Sequence, residues 1–181
     1  MTAPPPLDPP AEAPPPELHR PLALDRIAPH GFTMVVTATP EECAALAVRL
    51  RIQAVHALSC RFHLHKLPGG KVAAEGALRA RITQTCVVSL DEFTADLTER
   101  FAVRFVPSGT ETDDDLAASD LEAEDEIPYD GVFIDPGEAA AEQLALALDP
   151  YPRKPDATLP ETAADPDISP FAALAARRRK T

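Results

Sequence analysis

The sequence predicts an α+β fold: an antiparallel sheet, able to curl toward a barrel, with two helices packed on it. An acidic disordered loop and proline-rich tails complete it. Three observations carry this. Long stretches alternate apolar and polar residues with period two, two segments open with helix-start signals, and prolines and acidic residues gather outside both. With 181 residues and 45% hydrophobic side chains, the chain suffices for one domain with a core.

Residues 1–18 form a disordered proline-rich leader, because Pro4, Pro5, Pro6, Pro9, Pro10 and Pro14–Pro16 lack backbone donors and fix φ. The single domain then runs over 19–150. Leu22, Leu24 and Ile27 suggest a short strand, and Phe32, Met34 and Val36 a second. Thr39, Pro40 and Glu42 make a capping-box start, followed by Cys43, Leu46, Ala47 and Leu50 on one helical face. Leu58, Cys60, Phe62 and Leu64 alternate with Ser59, Arg61, His63 and His65. Pro68-Gly69-Gly70 then turns the chain, and Val72 to Ile82 continue the alternation with Lys71, Glu75, Arg79, Arg81 and Thr83 outward. Phe93 to Phe105 repeat the pattern, with Arg100 and Arg104 outward. Glu99 falls in the inward register, which predicts a bulge or a strand edge there.

From 108 to 126 the chain is acidic without a single Lys or Arg, so self-repulsion predicts a mobile loop. Val132-Phe133-Ile134 resumes order. Asp135, Pro136 and Glu138 then start a helix whose buried stripe is Ala141, Leu144, Ala145 and Leu148. Residues 151–181 are a proline-rich linker and a short helix opened by Ser169-Pro170 and closed by Arg177, Arg178, Arg179 and Lys180.

A net charge of −12 argues against a protein that coats nucleic acid over its whole surface. Charge is nevertheless segregated: between Arg49 and Val106 nine basic residues stand against five acidic ones. Alternation places Arg61, Lys71, Arg79, Arg81, Arg100 and Arg104 on the wet side of the sheet, where they can follow a phosphate backbone. Few aromatics share that side, so stacking of unpaired bases is not expected. Arg177, Arg178, Arg179 and Lys180 are further candidates for phosphate. Phe171 and Leu174, at i and i+3 just before them, are candidates for docking a partner.

No catalytic constellation emerges. His63 and His65 point the same way and can share a metal, but a third ligand is missing because Cys60 faces the other side. Cys86 lacks a nucleophile's surroundings, Pro68-Gly69-Gly70-Lys71 lacks the rest of a phosphate loop, and Asp91 with Glu92 suits a turn. Three well-spaced cysteines form no disulfide framework. No secretory leader or membrane span is read. The expectation is a cytoplasmic, non-enzymatic protein without cofactor, metal or small-molecule substrate.

Four stretches resemble the YceD family, the large ribosomal RNA subunit accumulation proteins, once a domain of unknown function. They are Lys71 to Leu90 (KVAAEGALRARITQTCVVSL), Phe101 to Pro107, Ile134 to Pro152 running on into the end of LALDPYPRKP (Leu146 to Pro155), and Ser169 to Leu174 with its basic end. The resemblance implies a bacterial factor for synthesis, processing or accumulation of 23S rRNA, hence large-subunit biogenesis. Its partners would be 23S rRNA or a pre-large-subunit particle, and ribosomal proteins. Many relatives carry a Cys-x-x-Cys pair and a cysteine after the proline motif. Here only Cys86 remains, with Ser89 at the second position and Lys154-Pro155-Asp156 after the motif, so no cysteine-held metal is implied. The alternative is an adaptor that binds proteins through the acidic loop and terminal helix without touching RNA.

Overall fold

The computed structural model describes residues 16–109 and 125–158. Most of the expected leader, most of the acidic loop, and the terminal helix with Phe171, Leu174, Arg177, Arg178, Arg179 and Lys180 lie outside the described residues. In chain order the elements are β1 (Leu22–Ala23), β2 (Phe32–Thr37), α1 (Pro40–Leu50), β3 (Ala54–Lys66), β4 (Val72–Thr85), β5 (Glu92–Pro107), β6 (Asp125–Tyr129), β7 (Phe133–Ile134) and α2 (Pro136–Ala147). The α+β class is as the sequence predicts.

The main sheet has the order β2-β3-β4-β5-β6, antiparallel except for the parallel β5–β6 pair. The sheet is mostly antiparallel, as the sequence predicts; the β5–β6 pair makes it mixed, and it stays open rather than closing into a barrel. The outer strands β2 and β6 are short and stand at opposite edges, separated by three long strands, and do not pair. Strand β6 itself was not legible: its sequence, DEIPY, opens with two acids and contains a proline, which suits only an edge strand. A second small sheet pairs Leu22 with Ile134 and Ala23 with Phe133.

The apolar half of each alternation faces one core. Cys60, Phe62, Leu64, Val72, Ala74, Leu78, Ile82, Val103 and Phe105 are all buried. Helix α1 packs on β3, and α2 reaches β2, β4 and β5. The stripe of α2 is rotated from expectation: Ala139, Ala140, Ala141, Gln143 and Leu144 are buried whereas Ala145 is exposed. Phe101 lies across Gly76 and meets Phe62 edge-on, with ring centroids 5.7 Å apart.

No bulge occurs at Glu99, where β4 and β5 stay in register and Leu78 faces Glu99. The second expectation for that position holds, because β6 pairs with β5 only over Val103–Pro107 and leaves Glu99 on a sheet edge among the described residues. The bulge is instead at Val55–Ala57 in β3, where His56 accommodates the extra residue and its Nε2 lies 2.8 Å from the Thr83 hydroxyl.

The N-terminal segment is pinned to both helices, and burial reaches back to Leu18. Arg20 makes a bidentate pair with Glu42 at 2.7 and 2.8 Å, while Arg49 bridges Glu17 and Glu138. Glu42 also completes the expected capping box by accepting from the Thr39 backbone N–H. The Arg20 guanidinium, then the Thr39 N–H, hold its carboxyl below the usual range. A group whose folded pKa is depressed lends stability above its unfolded pKa, and that stability is lost as pH falls through the folded value. Glu42→Gln should therefore lower stability by about 1–2 kcal/mol at pH 7 and flatten the acid limb of the stability–pH curve, as urea denaturation from pH 7 to pH 3 will read.

Candidate nucleic-acid interface

The helices cover one face of the sheet, and the register sorts the other face into rows running across the strands. One row reads Val35, Arg61, Ala77, Arg100 over β2 to β5. The next holds Thr37, Ser59, Arg79 and Thr98, and the one beyond it Ala57, Arg81 and Asp96. On the other side of the arginine row stand Thr33, His63, Glu75 and Ala102. Four sequence-predicted arginines thus share one exposed face. Strand spacing puts Arg61 and Arg100 about 10 Å apart across Ala77, and Arg79 and Arg81 about 7 Å apart along β4.

Between the guanidinium stems the floor is small. A depression of about 470 Å³ is lined by Arg61, His63, Glu75, Ala77, Arg100 and Ala102 among others, and a second of about 170 Å³ by Val35, Ser59, Arg61, Ala77 and Arg79. Among the described residues, none of Arg61, Arg79, Arg81 or Arg100 has a carboxylate within 4.0 Å, although Asp96 stands across from Arg81 in the register. Their charge is available to an external anion.

Lys71 and Arg104 differ. Glu126 of β6 lies 3.7 Å from the Lys71 ammonium and 3.6 Å from the Arg104 guanidinium, so this end of the basic face is partly neutralised. In the sequence Glu126 reads as part of the acidic loop, which hides the pairing; in the fold it belongs to the edge strand β6.

Among the described residues no histidine is hydrogen-bonded to a cysteine. His63 and His65 face outward as expected, and His63 Nδ1 lies 2.9 Å from the Thr33 hydroxyl. His30, which spacing did not connect with them, lines the same cleft of about 350 Å³. No group of three His, Cys, Asp or Glu suited to a metal ion occurs among the described residues. Cys43, Cys60 and Cys86 are buried free thiols.

Two of these thiols should titrate far apart. Burial pushes Cys60 up to about 12. Cys86 sits at the start of a tight turn, where Sγ accepts from the backbone N–H groups of Val88 and Ser89 at 3.4 Å each. The Ser89 hydroxyl and N–H, followed by the N–H groups of Lys154 and Val88, bring the Cys86 thiol down to about 6. Thiolate absorbance of the folded chain should show one ionisation near pH 6, and Cys86→Ser should remove it. The stability this thiolate lends is present above the unfolded thiol's pKa and lost as pH falls through about 6.

No helix among the described residues is long and apolar enough to cross a membrane. No curated protein and no solved structure matches the chain. The family model described as large ribosomal RNA subunit accumulation protein YceD matches residues 74–176, which is more than half of the length. The match takes in Arg79, Arg81, Arg100 and Arg104 and begins after Arg61 and Lys71. The chain belongs to the YceD family of large ribosomal RNA subunit accumulation proteins.

Proposed function

We propose that this protein supports accumulation of 23S rRNA as a non-enzymatic, cytoplasmic factor that contacts the RNA, or a pre-large-subunit particle containing it, through the outer face of its sheet. The observation that carries the reading is the clustering of Arg61, Arg79, Arg81 and Arg100 on one exposed face, without ion pairs among the described residues, in a chain whose net charge is −12. Guanidinium groups on a sheet face bind phosphate oxygens and release condensed counterions, so affinity is charge-driven. The overall negative charge opposes indiscriminate binding and favours contact where basic residues are concentrated. Lys71 and Arg104 would join once Glu126 is displaced. Arg177, Arg178, Arg179 and Lys180 would add phosphate contacts, and Phe171 with Leu174 would dock a ribosomal protein.

Titration of the full chain with 23S rRNA fragments at 50 and 200 mM salt tests this. Binding should weaken by at least about tenfold over that range, and further in the Arg79→Ala, Arg81→Ala double variant. Absent binding, or binding indifferent to both changes, would favour the adaptor that works through the acidic and C-terminal segments alone.

A further inference from the structure

We infer that the RNA this face takes is helical, A-form RNA, held by its ribose–phosphate backbone, with the hydroxyl row of Thr37, Ser59 and Thr98 reading the ribose 2′-OH. The inference rests on the functional reading above and names the form of RNA. Register aligns Thr37 with Ser59, Ser59 with Arg79 and Arg79 with Thr98, so three hydroxyls and a guanidinium cross four neighbouring strands in one line. Among the described residues none of the three hydroxyls has a hydrogen-bond partner. The adjacent row supplies Arg61 and Arg100 on either side of Ala77.

A hydroxyl both donates and accepts, as a 2′-OH does, so a line of hydroxyls beside a line of guanidinium groups matches the alternation of ribose and phosphate along one strand of RNA. The rows lie about 7 Å apart, close to the spacing of successive phosphates, and small side chains at Ala77 and Ala102 let a backbone ridge approach the sheet. What the face lacks decides between paired and unpaired RNA. Binders of single strands stack successive bases on aromatic rings. Every position in these four rows is aliphatic, hydroxylic, charged or histidine, and Phe62, Phe101 and Phe105 belong to the opposite register. Unpaired bases would find no Phe, Tyr or Trp ring on this face, only the His63 imidazole and the guanidinium planes, too few for a run of successive bases, whereas a duplex keeps its bases stacked and offers its backbone and shallow groove.

Three probes separate the outcomes: an RNA duplex of about 16 base pairs, the DNA duplex of the same sequence, and an oligouridine of equal length, each titrated into the full chain by fluorescence anisotropy at low salt. The RNA duplex should bind about tenfold or more tighter than oligouridine and about fivefold tighter than the DNA duplex. Ser59→Ala with Thr98→Ala should bring the RNA-to-DNA ratio toward one while leaving the DNA duplex affinity unchanged. Oligouridine binding as tightly as the duplex, or an RNA-to-DNA ratio unmoved by the two alanines, would overturn the inference and leave charge-driven RNA contact standing. Failure of all three probes to bind would overturn that contact as well.

Discussion

Arg61→Glu with Arg100→Glu should abolish most rRNA binding, with a loss of roughly a hundredfold, or about 3 kcal/mol, at low salt. Both side chains rise from one row on either side of Ala77, and reversing them places two carboxylates where phosphate must sit. Stability should change little, because neither arginine has an ion pair among the described residues and both are exposed. The matched control is Lys66→Glu with Arg153→Glu, which shifts net charge equally but lies outside the outer-face rows. It should weaken binding only slightly. Equal losses in the two double variants would mean that net charge, not this face, governs binding.

Gly137→Ala carries the second large effect, and its sign runs against the usual rule. A glycine in a helix ordinarily costs about 1 kcal/mol relative to alanine, so the substitution would be expected to stabilise α2. At this position an added Cβ would overlap the Leu18 carbonyl oxygen and come within 2.8 Å of the Arg20 backbone nitrogen. Both obstacles are backbone and cannot swing aside. The contact lies where Asp135 caps α2 and also accepts the Arg20 N–H at 2.8 Å, so the N-terminal segment would have to lift off the helix. Urea denaturation should show destabilisation of about 2–3 kcal/mol. A stabilised variant would contradict the packing of Leu18 to Arg20 on α2.

Legibility in the sequence tracked how local the signal was. The strands β3, β4 and β5 and the start of α1 follow from period-two alternation and from Thr39, Pro40 and Glu42, all contained within short windows. The arginines of the candidate interface were legible for the same reason, since strand parity alone assigns Arg61, Arg79, Arg81 and Arg100 to one side. What failed to show depended on partners distant in the chain. The parallel seat of Asp125–Tyr129 on β5 requires a crossover that no periodicity encodes, and Glu126 reaches Lys71 and Arg104 only through it. The rotation of α2 goes with a close approach of Gly137 to the Leu18 carbonyl, a contact that its own run of alanines and leucines does not announce. The hydroxyl row needs register as well as parity. Thr37, Ser59 and Thr98 are unremarkable singly and become a line only when three strand pairings are fixed.

Amide chemical-shift mapping of the full chain, as an rRNA fragment is added, tests the central claim most directly. Perturbations should concentrate on β3, β4 and β5 around Ser59, Arg61, Ala77, Arg79, Thr98 and Arg100, and shrink as salt is raised. Perturbations confined to α1 and α2, or a spectrum that RNA leaves unchanged, would contradict it.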